Sequence, residues 1–249
     1  MRQLAMLVVL VAAALGPSLL FAQATPPPWK GENLQYFPKD ITRQQLTQRM
    51  REFSFALNVR CQYCHVGGNG ISFEGVVFAS DEKPAKVKAR AMLRMVDDIN
   101  GSLLSKLPSR AEPRVTVDCV TCHRGLALPK TLQTTLLEIV NTKGADAAVA
   151  RYRELRRDDS LTGRYNFGEW EINELARQLS EAGKRDEAIA ILDMNAEFYP
   201  KSIAIDLMVA ELQVLVGNRD KALARFRAAL EKDPNDARAK QRIADLEKK

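Results

Sequence analysis

The sequence predicts a mostly α-helical protein in two parts, a small N-terminal domain of helices joined by irregular connections and a short C-terminal α-solenoid. Three observations lead there. Apolar residues recur at helical spacing in two N-terminal segments, and the C-terminal part repeats itself with a period of 34 residues. The chain has 249 residues of which 46% are hydrophobic, which suits a packed core and argues against a disordered or fibrous chain.

The one long apolar run lies at the start, which excludes a polytopic membrane protein. Met1-Arg2, an apolar stretch through Leu15 and Ala22-Gln23-Ala24 describe a cleavable secretory signal over residues 1–24. The short apolar core, with Gly16-Pro17 inside it, argues against an anchor helix. The expected location is therefore the periplasm or the outer face of the plasma membrane.

After Pro26 to Pro28 and a loop through Pro38, residues 41–57 carry Leu46, Met50, Phe53 and Leu57 on one helical face. Gly67-Gly68-Asn69-Gly70 opens an irregular stretch with Phe73, Val76, Val77 and Phe78. Helical spacing returns over 85–107 with Val87, Ala91, Met92, Met95, Ile99 and Leu103, and a loop follows from Pro108 to Pro113. Residues 131–157 read as a degenerate helical hairpin, and from Glu169 onward the repeat is explicit. Ala176, Gly183, Ala188, Leu192 and Pro200 return as Ala210, Gly217, Ala222, Phe226 and Pro234. Small residues where two helices touch, and Pro after the second helix, describe tetratricopeptide-like repeats. The expected domains are 25–130 and, as linker hairpin plus repeats, 131–249. Stacked hairpins present a concave face on which a partner can dock.

The chain has four cysteines and two histidines, and all of them fall in Cys61-Gln62-Tyr63-Cys64-His65 and Cys119-Val120-Thr121-Cys122-His123. Two thiols three positions apart can add to the two vinyl groups of a haem, and the next residue offers an imidazole to its iron. A structural zinc site needs no histidine after both pairs, and a thioredoxin-like pair needs a βαβ setting. The reading is two covalent haem c groups held by Cys61, Cys64, Cys119 and Cys122, with His65 and His123 as axial ligands.

No histidine remains for the opposite face of either iron. Met50 lies on the helix before the first motif, and Met92 and Met95 lie on the helix before the second. Met on an amphipathic helix is ordinarily core filling. The repeated order of Met helix, loop and C-x-x-C-H favours ligation by Met50 and by one of Met92 and Met95, the other packing on the ring. Residues 25–140 hold 16 basic and 11 acidic side chains, against 20 and 20 in 141–249. That scattered excess, largely cancelled by haem propionates, gives no support to nucleic-acid binding.

The stretches LTQRMREFSFALNVRCQYCHV (46–66), KVKARAMLRMVDDING (86–101) and VTVDCVTCHRGLALP (115–129) resemble the haem-binding segments of the photosynthetic reaction-centre cytochrome c subunit family. The resemblance implies electron delivery to a photo-oxidised chlorophyll pair. It also implies Met50 and Met92 as distal ligands, and it prefers Met92 to Met95. Well-known members carry four haems, where this sequence has motifs for two and repeats in place of the others. The expected function is one-electron transfer by an exported di-haem cytochrome without enzymatic activity or small-molecule substrate. Its partners would be redox proteins, including a membrane-bound reaction centre or respiratory complex docked through the repeats. The alternatives are a non-photosynthetic periplasmic carrier or redox-sensing scaffold, and a di-haem peroxidase-like enzyme.

Overall fold

The computed structural model describes residues 29–108 and 113–248, so the signal expected over 1–24 lies outside the described residues. The chain is helical in both parts, as the sequence predicts.

In the first part α1 spans Arg43–Leu57. The Thr42 side chain caps the Gln45 backbone N–H while Gln45 answers to the Thr42 N–H, and Asn58 in the left-handed region ends the helix. Cys61–Tyr63 form a single 3-10 turn. The Val77 N–H then donates to the Val66 carbonyl at 2.9 Å, closing the loop between them. Gly67, at φ +79°, is required there, because a Cβ would stand 2.0 Å from the Gly75 carbonyl oxygen.

Helix α2 spans Pro84–Asp98, with proline in its first turn. Helical spacing in the sequence runs on to Leu107, but the regular helix stops earlier. Ile99–Leu103 widen into a π turn and Leu104–Lys106 tighten into a 3-10 turn. Asn100-Gly101 at this point explains the break, since a short amide side chain and a glycine both favour departure from the α-helix. The second motif is the five-residue helix α3, Cys119–His123.

The second part consists of α4 (Leu132–Lys143), α5 (Ala145–Asp159), α6 (Glu169–Glu181), α7 (Arg185–Phe198), α8 (Ile203–Leu215), α9 (Arg219–Lys232) and α10 (Ala237–Glu247). The period of 34 has a direct structural meaning. Ala176, Ala188 and Leu192, with their counterparts Ala210, Ala222 and Phe226, are all fully buried at the helix crossings. Gly183 and Gly217 take φ +80° and +81° in the two equivalent turns. The hairpin α4–α5 joins the array by a polar hub: the Arg156 guanidinium lies 4.5 Å from the Phe198 ring centre and donates to the Tyr152 hydroxyl at 2.7 Å. It also donates to the Phe167 carbonyl at 3.1 Å.

Burial is divided unequally between the two parts. From residue 132 onward the helices bury two core clusters that both draw on α8, whereas among the described residues up to 130 the only buried apolar side chains are Ala56 and Leu93.

Tyr152 is fully buried and meets both Phe167 and Phe198 edge-on. Tyr152→Ala therefore removes a large aromatic from the junction between hairpin and repeats. A loss of about 3–5 kcal/mol is expected in urea denaturation followed by circular dichroism.

Candidate haem-binding site

The two C-x-x-C-H turns are built differently and lie against different helices. Asp118 starts α3 with a capping box, its carboxylate accepting from the Thr121 N–H at 3.0 Å while Thr121 Oγ accepts from the Asp118 N–H at 3.1 Å. One helical turn then presents Cys119, Cys122 and His123, and Arg124 in the left-handed region ends it. Gly125 follows at φ +80° and donates its N–H to the Ala56 carbonyl at 2.8 Å, fastening the second motif to the end of α1. The guanidinium of Arg164, fixed to Asp159 at 2.7 Å, lies over Gly125, so the connection between α5 and α6 also touches this loop.

On the other side Asn100, in the π turn, grips the strand leading into α3. Its amide donates to the Val117 carbonyl at 2.7 Å, and its oxygen accepts from the Val117 N–H at 2.8 Å. The two bonds hold the approach to the second motif against the end of α2.

The first motif leans on the start of α2. Lys83 donates to the Gln62 carbonyl inside the motif. Lys86 donates to the carbonyls of Phe78 and Ser80 at 2.7 and 2.8 Å and pairs with Asp81 at 3.1 Å. Asp81 also receives Arg90 at 2.9 Å and the Gln35 amide at 3.0 Å. The N-terminal strap is fixed to the same helix by Tyr36, whose hydroxyl donates to Asp97 at 2.8 Å.

The imidazoles differ in their surroundings. His123 Nδ1 stands 2.8 Å from the Leu126 carbonyl. A carbonyl only accepts, so Nδ1 carries the proton and Nε2 keeps its lone pair, the tautomer a metal ligand needs. His65 Nδ1 is buried with no hydrogen-bond partner, and its ring meets Phe78 edge-on at 5.1 Å. Burial first, then the Lys86 cation, pushes His65 below the ordinary imidazole value, so the ring is neutral at pH 7. Burial likewise pushes the Cys64 and Cys119 thiols up.

Met50 is half-buried on α1, while Met92 and Met95 stand side by side on α2 at 46% and 45% exposure. Sequence reasoning missed Asn100 and the Lys86 cluster. The Asn-Gly pair inside a helical pattern is the signal that pointed to the first, whereas nothing local in the sequence marks the second.

These residues fit a covalently held haem. All four thiols are free, each pair is followed by an imidazole, and the buried His65 Nδ1 lacks an acceptor in the way a ligand still to be oriented would. Apolar side chains are available as well: Phe55 (83% exposed), Ile71, Phe73, Phe78, Val87 and both α2 methionines are exposed in a part of the chain with almost no core. A flat apolar macrocycle is the kind of group such side chains cover. Among the described residues no cluster of three or more His, Cys, Asp or Glu stands ready to bind a bare metal ion. No described helix is long and apolar enough to cross a membrane.

Paired C-x-x-C-H turns on a helical frame, with an imidazole held in the ligating tautomer, define a c-type cytochrome. The chain belongs to the photosynthetic reaction centre cytochrome C subunit family, which matches residues 32–160. It is 37% identical over 99 residues to cytochrome c-554 of Chloroflexus aurantiacus, covering 36% of this chain and 22% of that protein. It is 34% identical over 101 residues to the photosynthetic reaction center cytochrome c subunit of Thermochromatium tepidum, covering 40% and 22%. The chain thus spans less than a quarter of the length of either relative. Among solved structures, a point mutant of MamA aligns with a TM-score of 0.38 at 19% identity, covering 47% of this chain and 81% of that one.

Two consequences can be measured. Asn100→Ala removes both bonds to Val117 and should cost about 1–3 kcal/mol in urea denaturation, since each partly buried hydrogen bond contributes about 1 kcal/mol. Arg90 first, then the Asn33 amide, hold the Asp81 carboxyl well below the usual carboxylate range. Its folded-state value lies below its unfolded one, so its contribution is complete at neutral pH and is lost as pH falls through and below the ordinary carboxylate range. Asp81→Asn should lower the urea midpoint at neutral pH and flatten the decline in that midpoint toward about pH 3.

Proposed function

We propose that this protein is an exported di-haem c-type cytochrome that carries single electrons between redox proteins. The observation that carries the reading is the pair of C-x-x-C-H turns, each backed by a helix bearing exposed or half-buried methionine. Cys61 and Cys64 at one site, and Cys119 and Cys122 at the other, hold haem by adding S–H across its vinyl groups. His65 and His123 would ligate the two irons, and the thioethers of Met50 and Met92 would supply the second protein ligand of each. Met95 packs beside Met92. Bound there, haem supplies a one-electron couple between Fe(II) and Fe(III).

The protein's own residues set the conditions for that couple. The neutral soft thioether favours the reduced iron and raises the potential. The Leu126 carbonyl orients His123, and the apolar side chains around the motifs keep water from the ring. With an imidazole and a thioether both ligating, neither iron would keep an open position for a substrate, which favours a carrier over a peroxidase.

The domain division at 130/131 is supported by the onset of the first core cluster at Leu132. The signal-like residues 1–24 support export, and the stacked repeats supply a surface for docking to a redox partner, including a membrane-bound complex.

When the protein is exported with haem-attachment machinery, mass spectrometry of its peptides should find one haem at Cys61/Cys64 and one at Cys119/Cys122. A missing haem at either pair overturns the two-haem reading. Met50→Ala and Met92→Ala should each remove the near-infrared Met-to-Fe(III) band of one site and lower that site's potential.

A further inference from the structure

The two sites place unequal electrostatics behind their imidazoles. His123 Nδ1 has a dedicated acceptor, the Leu126 carbonyl at 2.8 Å. Donation through this bond increases the electron density on the ring and makes it a stronger ligand for the oxidised metal. His65 Nδ1 is buried without a well-formed hydrogen bond, and the Phe78 carbonyl that it faces also accepts from Lys86 Nζ at 2.7 Å. An oxygen that accepts from an ammonium group is a poorer acceptor for an imidazole.

Charge points the same way. Lys83, Lys86 and Arg90 gather around the first motif, with Asp81 as the carboxylate that answers Lys86 and Arg90. Lys86 and Arg90 are nearly buried, their side chains 12% and 11% exposed, so solvent screens them weakly. At the second motif Asp118 caps the helix, and the neighbouring Arg49 is paired with Glu52 at 2.6 Å. Arg124, after His123, is exposed.

We infer that Lys86 makes the first C-x-x-C-H site the higher-potential one of the pair, by competing for the carbonyl that His65 would use and by adding positive charge beside it. The oxidised site carries one more positive charge than the reduced site, so a nearby buried cation disfavours oxidation. The second site, with a strongly hydrogen-bonded imidazole and little net charge nearby, holds its electron less tightly. Lys86 is thus a residue that sets the direction of electron sharing within the chain without touching the iron. The inference rests on the two-haem reading, whose failure shows separately as a missing haem in the mass spectrum.

The test is a spectroelectrochemical titration of the full-length, doubly loaded protein. Cys61→Ser leaves a single thioether at the first site and shifts its α-band, which labels that site optically. Two waves are expected, the labelled one higher by at least a tenfold electron-sharing preference, about 59 mV for a one-electron couple. Lys86→Leu should move the labelled wave down and leave the other in place. One unresolved wave, a labelled wave that titrates lower, or a labelled wave unmoved by Lys86→Leu overturns the inference. If Lys86→Leu fails to fold, proton exchange of the two ring N–H groups in the reduced unmodified protein decides. Slow exchange at His123 with faster exchange at His65 supports the inference, and equal protection at both overturns it.

Discussion

Among the described residues of the N-terminal part only Ala56 and Leu93 are buried apolar side chains, and the arrangement of that part depends on polar clamps instead of packing. Asn100 binds both backbone groups of Val117, Gly125 donates to the end of α1, and Lys83 and Lys86 tie the first motif and its loop to the start of α2. Asn100, Gly125 and Lys83 each join a C-x-x-C-H turn or the chain beside it to a helix or its cap distant in sequence, and Lys86 closes the loop that follows the first motif. Hydrogen bonds contribute about 1 kcal/mol each and orient strictly, so they specify geometry more than they stabilise it. A large apolar cofactor is the natural complement to such a frame, because it brings the burial that the frame lacks.

The repeat part follows the opposite logic. Its helices carry small residues at their crossings and one large apolar residue behind them, and the buried side chains form two clusters that both draw on α8. Buried charge there is compensated locally, as where Asp206 meets Arg225 at 3.1 Å and Lys232 closes on its other oxygen. The junction uses both principles: Arg156 is surrounded by aromatic rings, and Arg164 reaches from the α5–α6 connection to Gly125 beside the second motif.

The two motifs are alike in sequence and unlike in structure. One begins as a 3-10 turn beside a lysine cluster, and the other is a capped helical turn with its imidazole seated on a carbonyl. Asp118 accounts for part of the difference, since it provides the cap that Arg60, the residue before Cys61, cannot. The structural asymmetry grows from these neighbours and not from the five-residue motifs.

Much of this protein is determined by its sequence alone. The 34-residue period places small residues and glycines where two packed helices leave no alternative, and C-x-x-C-H brings its thiols and imidazole together within one turn whatever surrounds it. These are local or strictly periodic constraints, so they survive in a linear reading. The grip of Asn100 on Val117 and the claim of Lys86 on the Phe78 carbonyl were decided only in the tertiary structure. Met92 and Met95 are equivalent in helical spacing, and their nearly equal exposure leaves the choice between them to the ring they meet. The physical reason is the same in each case: a backbone carbonyl has no sequence signature, and which side chain reaches it depends on where distant segments come to lie.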